Sequence, residues 1–382
     1  MTTTPPNVAA ARQQAIDTDY YALGHLALCI ASYSDAGGTE EEIRAAIAAN
    51  VPSLGQIGNV PGTWTLDWGP AITTSILSWK ANLLFAASYR DPSSNLPIFS
   101  AVVIRGTDIT AGFLGVLKQL HEDLEPGCQL LWPYGIGACA DEKQSSSSAQ
   151  YIARGTFHGF QSLLTLQGLN QSTQESQTLG DFLAAFVPAN SDATAPLPLV
   201  VTGHSLGGCQ TSPVARWING QSWIDSGVVV VPHSFAAPTA GNAAFANAYV
   251  DELPNARRWF NSFDIVPMAF DQLATMDDLW FVSPYNCLVK PSSLESGAIG
   301  LLKTDVGKLQ YAHEGGNSAR LLNGACGSPS TTVTGTSDRW GAQLEYEHFP
   351  PCGYWNLMVN EYESTLGALA YPPWVQPAPT CG

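Results

Sequence analysis

Apolar positions along this chain change their period several times, and the changes mark its elements. Over residues 9–35 they recur at Ile16, Tyr20, Leu23, Leu26, Ala27 and Ile30, the spacing of one helix face. Thr39 followed by Glu42 is a capping-box signature and predicts a second helix over 39–48. Residues 51–64 read as a Pro/Gly loop. Apolar runs rich in β-branched and aromatic residues predict strands at Leu83–Tyr89, Ile98–Arg105, Leu197–Gly203, Val228–Phe235 and Arg257–Ser262. The helical period returns over 108–124, 157–167, 179–186 and 208–220. Residues 125–150 are irregular. Beyond about residue 270 the text turns Gly/Ser/Pro-rich, apart from helical stretches near 318–323 and 356–370. No internal repeat occurs. Strands alternating with helices predict an α/β fold: a mostly parallel sheet with helices on both faces.

Composition narrows the function classes. The chain has 382 residues, 45% apolar and 10% aromatic, enough to bury a large core. Its net charge of −16 comes from 32 acidic residues against only 16 basic ones. No basic stripe exists, so nucleic acid and electrostatic docking on anionic membranes are not expected. No apolar run approaches the ~18 residues of a membrane span. The start, Met1-Thr2-Thr3-Thr4-Pro5-Pro6-Asn7, has neither a basic region nor an apolar h-region. The chain is then either cytosolic or a secreted form with its leader removed. The eight cysteines form no C-x-x-C pair and no H-E-x-x-H occurs, so no metal and no cofactor are expected. Cys128 and Cys139 flank a Trp-Pro-Tyr-Gly loop and are expected to pair. Cys326, Cys352 and Cys381 fall in Pro/Gly-rich segments, a further sign of disulfides that favours the secreted form. Cys29, inside an apolar helical run, reads as a buried thiol.

The chemistry centres on Leu199-Val200-Val201-Thr202-Gly203-His204-Ser205-Leu206-Gly207-Gly208. An apolar strand that ends in G-x-S-x-G matches a nucleophile elbow, where a serine stands on a sharp strand-to-helix turn. Bulky neighbours would clash in such a turn, and Gly203 and Gly207 remove them. The amides of the following helix then face the place where an anionic intermediate forms. A serine nucleophile also needs a base and an orienting carboxylate, in the order Ser, Asp or Glu, His. Asp264 follows an aromatic strand and precedes a Pro-containing turn, the strand end at which open α/β sheets place their sites. Two later histidines compete as base. His313 is followed by flexible glycines, whereas His348 precedes Pro350-Pro351 and Cys352. A base must keep one ring orientation, and rigidity favours His348. The oxyanion donors are expected at the Leu206 amide and at Thr107, just past the strand that ends in Ile104-Arg105-Gly106.

Taken together, Val102–Thr107, Phe157–Phe160, Val201–Gly208, Phe235–Asn242 with Phe245, and Asn261–Pro267 resemble the class 3 lipase family of the α/β-hydrolase superfamily. They occur in that family's order over about residues 100–270. The resemblance implies a single α/β-hydrolase domain over 1–382, with 125–150 and 271–345 as additions. It implies Ser205, Asp264 and the late histidine as the triad, Thr107 and Leu206 as the oxyanion hole, and His158 and His204 as structural. It also implies a lid over 108–124, where Ile109, Phe113, Val116, Leu117, Leu120 and Leu124 form an apolar stripe able to meet a lipid surface. The expected activity is hydrolysis of acylglycerols or related lipid esters. A phospholipase A, a short-chain, aryl or polymer esterase, and a catalytically silent binding scaffold are the alternatives.

Overall fold

The computed structural model describes residues 4–73, 82–106, 124–135, 137–280, 287, 289–313, 318–324, 339–372 and 374. Thr107 and nearly all of the 108–124 stretch lie outside the described residues, as do Cys326 and Cys381. The main sheet has seven strands among the described residues, in chain order: β1 (Thr63–Ile72), β2 (Leu83–Arg90), β3 (Pro97–Ile104), β4 (Leu197–His204), β5 (Val228–Phe235), β6 (Arg257–Asn261) and β7 (Ala319–Leu322). β1, β2 and β3 pair antiparallel, while β3 to β7 run parallel. The mostly parallel α/β sheet expected from the alternation is therefore present.

Both faces of the sheet are covered, which explains why its strands read as unbroken apolar runs. Along β3, Val102 and Ile104 enter one core while Ala101 and Val103 enter the other. The first core is closed by helices α4 (Arg154–Thr165), α5 (Leu179–Asn190) and α6 (Leu206–Asn219). The second is closed by α1 (Pro6–Asp17), α2 (Ala22–Ala31) and α3 (Glu40–Asn50), with Tyr354 and Met358 from near the C-terminus. The motif-free N-terminal segment is thus one of the two layers on the sheet. Arg12 fastens it, donating to the carbonyls of Pro97, Ala195 and Asn190 at 2.9, 2.8 and 3.2 Å.

Several expectations need correction. The helix over 9–35 is two helices. Thr18 takes an extended backbone and its hydroxyl donates to the Gln14 carbonyl, which stops α1. The break frees Asp19 to bridge Arg257 and Arg320 at 3.0 and 2.6 Å. The supposed loop over 51–64 ends in β1, whose Gly69-Pro70 hid it. Proline is tolerated there because β1 is an edge strand with register shifts around Trp68. Residues 319–322 are strand β7, not helix, because pairing with β6 overrides the helix preference of Ala, Arg and Leu. The 356–370 helix is reduced to a short helix, Leu357–Tyr362, which directly follows a π-helical segment, Pro350–Asn356. The supposedly irregular 125–150 stretch contributes a strand, Gln129–Leu131, paired with Tyr151–Ala153. The Thr39–Glu42 capping box forms as expected.

Cys128 and Cys139 are joined, with Cα atoms 4.9 Å apart, and Cys287 and Cys352 are also disulfide-bonded. Cys29 is a buried thiol. The Cys128–Cys139 bridge closes a loop with a sequence separation of 11. Replacing both cysteines by serine is expected to cost roughly 2–3 kcal/mol of stability. Denaturant titration of the double variant checks this, and an unchanged midpoint would remove the bridge from the stability account.

Three buried imidazoles, His25, His204 and His233, and the partly buried His313 are held uncharged. Burial, and then a neighbouring imidazole or guanidinium, keeps His25, His204 and His233 well below the usual histidine value and lowers His313 to about 3. Each has a folded-state pKa below its unfolded one, so the unfolded chain binds more protons under acid. Their stability contribution is full above about pH 6.5 and is lost as pH falls below it. Between about pH 7.5 and 5.5 each is expected to cost on the order of 1 kcal/mol. Chemical denaturation at the two pH values tests this. Stability that stayed level or rose on acidification would contradict it.

Candidate active site

The chain turns sharply at Ser205, where φ is 58° and ψ −127°, a left-handed backbone in a non-glycine residue. Such strain persists only where the surroundings over-determine it. Here the Ser205 amide donates to the Phe235 carbonyl at 2.9 Å, and the Ser205 carbonyl accepts from Cys209 at 3.1 Å. The two flanking glycines are steric necessities. A Cβ on Gly203 would lie 2.3 Å from the Gly207 carbonyl, and one on Gly207 would lie 2.2 Å from the Ile104 carbonyl oxygen. The turn thus packs directly against the end of β3 and opens α6 at Leu206. The Leu206 amide belongs to the first turn of α6, whose N–H groups have no partner within the helix.

Asp264 sits three residues past the end of β6 and is fully buried. Its Oδ1 accepts the Val266 amide at 2.9 Å. Its Oδ2 accepts His348 Nδ1–H at 2.8 Å and the Tyr354 hydroxyl at 2.7 Å. On the other edge of the ring, His348 Nε2 lies 2.9 Å from Ser205 Oγ. A ring whose Nδ1 donates to a carboxylate leaves Nε2 as an acceptor, so the serine hydroxyl points its proton at the imidazole. Ser205 and His348 are 3% and 2% exposed, which keeps this relay dry and its electrostatics strong. After α7 (Ala243–Glu252) and α8 (Ser293–Val306), His348 is the last residue of helix α9 (Arg339–His348), and the π-helical segment Pro350–Asn356 follows directly.

The other histidines have different tasks. His313 Nε2 is committed to the Pro267 carbonyl and to Thr239 Oγ1, the latter at 3.1 Å. His204 donates from Nε2 to the His348 carbonyl at 2.9 Å, and its Nδ1 lies 3.3 Å from the Tyr33 hydroxyl. It therefore fixes the backbone of His348. His158 is exposed, with Nδ1 3.9 Å from Glu125. The fold brings Ser205, Asp264, His348 and Leu206 together, while Thr107 lies outside the described residues. Sequence reasoning missed Tyr354. It reaches Asp264 only because a π-helical turn separates it from His348, and π turns recur at functional sites without a sequence signal of their own.

A sheet with this strand arrangement, a strained serine between its fourth strand and the next helix, and a buried hydrogen-bonded His and Asp define an α/β-hydrolase, and within it a serine ester hydrolase. The family model "Lipase (class 3)" matches residues 139–273, so this stretch is similar to the class 3 lipases. Among solved structures, M37 lipase is similar over 90% of this chain and 92% of its own, at 21% identity and a TM-score of 0.68, which shows the shared fold. Lipase II from Rhizopus niveus covers 68% of this chain and 74% of its own at 16% identity and TM-score 0.36. Rhizomucor miehei lipase in its propeptide complex covers 52% and 50% at 20% identity and TM-score 0.32. Comparison with curated proteins gives no match. Among the described residues, no helix is long and apolar enough to cross a membrane.

Proposed function

We propose that this protein hydrolyses carboxylic esters of lipids, acylglycerols first among them, with Ser205 as nucleophile, His348 as base and Asp264 as its orienting carboxylate. The observation that carries this reading is the continuous chain from Ser205 Oγ to His348 Nε2 at 2.9 Å and from His348 Nδ1 to Asp264 Oδ2 at 2.8 Å. Ser205 Oγ attacks the ester carbonyl carbon as its proton passes to His348 Nε2. The tetrahedral oxyanion is received by the Leu206 amide and by Thr107. His348 then returns the proton to the leaving alcohol, and an acyl-enzyme remains. Water, deprotonated by the same nitrogen, attacks the acyl carbon; the bond to Ser205 Oγ breaks, His348 passes that proton to Oγ, and the fatty acid leaves. Asp264 keeps Nδ1 protonated throughout and stabilises the imidazolium.

The match of residues 139–273 to the class 3 lipase model supports a lipid ester as substrate. The test is a fluorophosphonate probe together with p-nitrophenyl esters of increasing acyl length and an emulsified triglyceride. Labelling at Ser205 with turnover that favours long chains and emulsion is the expected result. Turnover of short or aryl esters alone would redirect the reading to an esterase, preferential cleavage of phospholipid to a phospholipase A, and absence of labelling to a silent scaffold.

A further inference from the structure

The helix end that carries His348 is tied to the turn that carries Asp264 by more than the contact between the two residues. Glu347, next to His348, is 1% exposed. Asn261, the last residue of β6, donates from Nδ2 to the Glu347 main-chain carbonyl at 3.2 Å and to its Oε2 at 2.7 Å. The Asn261 Oδ1 accepts the amide of Phe263, one residue before Asp264, at 3.0 Å. Gln343, one turn back on α9, donates to Glu347 Oε1 at 2.6 Å. The loop after β7 closes over this pair: a Cβ at Gly324 would stand 2.3 Å from Asn261 Oδ1 and 3.0 Å from Glu347 Oε2. One asparagine side chain thus spans both segments that meet at the relay, and one carboxyl holds its far end.

We propose that Glu347 is a positioning residue for the reaction: clamped between Asn261 and Gln343, its carboxyl sets the end of α9 so that the His348 ring meets both Asp264 and Ser205. This rests on the triad reading above. Among the described residues its hydrogen-bond partners are amides and not cations. The groups facing it are Asn261 from β6, Gln343 from its own helix, the backbone at Gly324 and, as the charge that acts on it, Asp264; His348 and Tyr354 both bond the Oδ2 of that same Asp264. Burial first, and then the charge of Asp264, push the Glu347 carboxyl up to about 8, against the hydrogen bonds from Asn261 and Gln343. At neutral pH its carboxyl is then protonated, with the Oε1 hydroxyl donating to a Gln343 side-chain amide turned to accept it. Above about 8 it becomes a second buried anion, repelled by Asp264, and the clamp is strained where the ring must be held.

The experiment compares kcat and KM of the unaltered protein, Glu347→Gln and Glu347→Ala on a dissolved short-chain p-nitrophenyl ester, from about pH 6 to about 9. The unaltered protein should show a fall in kcat centred near pH 8. Glu347→Gln keeps the shape and the acceptor for Asn261, places an NH2 opposite Gln343, whose amide must turn to accept it, and cannot ionise; it should hold kcat within about threefold at neutral pH and lose that fall. Glu347→Ala should lower kcat by on the order of 10–100-fold with KM within about twofold, since a small misplacement of a reacting group costs this much. A Glu347→Gln variant that retains the alkaline fall, or a folded Glu347→Ala variant with unaltered kcat, overturns the proposal. If Glu347→Ala does not fold, the pH profile of Glu347→Gln decides alone. Either overturning result leaves fluorophosphonate labelling of Ser205 intact, whereas failure of the triad reading abolishes it.

Discussion

Ser205→Ala is expected to lower kcat/KM for ester hydrolysis by on the order of 10⁴–10⁶, because the covalent intermediate cannot form and the remaining donors stabilise only a direct attack by water. The fold should survive. Alanine occupies the same left-handed backbone at the same strain as serine, and the elbow is held by the main-chain bonds to Phe235 and Cys209, which do not involve Oγ. Among the described residues, the interaction removed is the 2.9 Å contact with His348. Melting temperature and activity are measured on the same sample. A variant that retained more than about a tenth of the activity would show that another group attacks the ester.

The second large effect separates two histidines. His348→Ala should lose activity to a degree comparable with Ser205→Ala, since members of a triad act as a unit. His313→Ala should hydrolyse esters at close to the unaltered rate while losing stability. Its ring is partly buried and its Nε2 is spent on the Pro267 carbonyl and Thr239, so its removal leaves those groups without that partner, at about 1–3 kcal/mol. The opposite pattern, with an active His348→Ala and a dead His313→Ala, would reassign the base and require Asp264 to turn toward residue 313. Steady-state rates and denaturation midpoints of the two variants distinguish the outcomes directly.

Local features of the chain determined much of this protein. The apolar runs of β2 to β6 named the strands, because a strand buried on both faces has no reason to alternate. Gly203 and Gly207 announced the elbow, because only glycine fits where the turn meets its own helix and β3. Asp264 was legible from its place just beyond an aromatic strand, and the Cys128–Cys139 pairing from a short loop between two cysteines. These signals act over a few residues, through backbone sterics and period. The tertiary structure decided the rest. The bond that joins His348 to Asp264 spans 84 residues and the one that joins it to Ser205 spans 143, and nothing local in either stretch encodes the meeting. Strand β7 exists because β6 offers an open parallel edge, although its own residues favour helix. The N-terminal helices became a layer of the core through apolar surface that any face of the sheet could have accepted. The Tyr354 hydroxyl on Asp264 and the Asn261–Glu347 clamp depend on where a π-helical turn and a helix end come to rest. Such contacts are set by three-dimensional packing between segments distant in the chain, and a single sequence carries no period or sterics from which to read them.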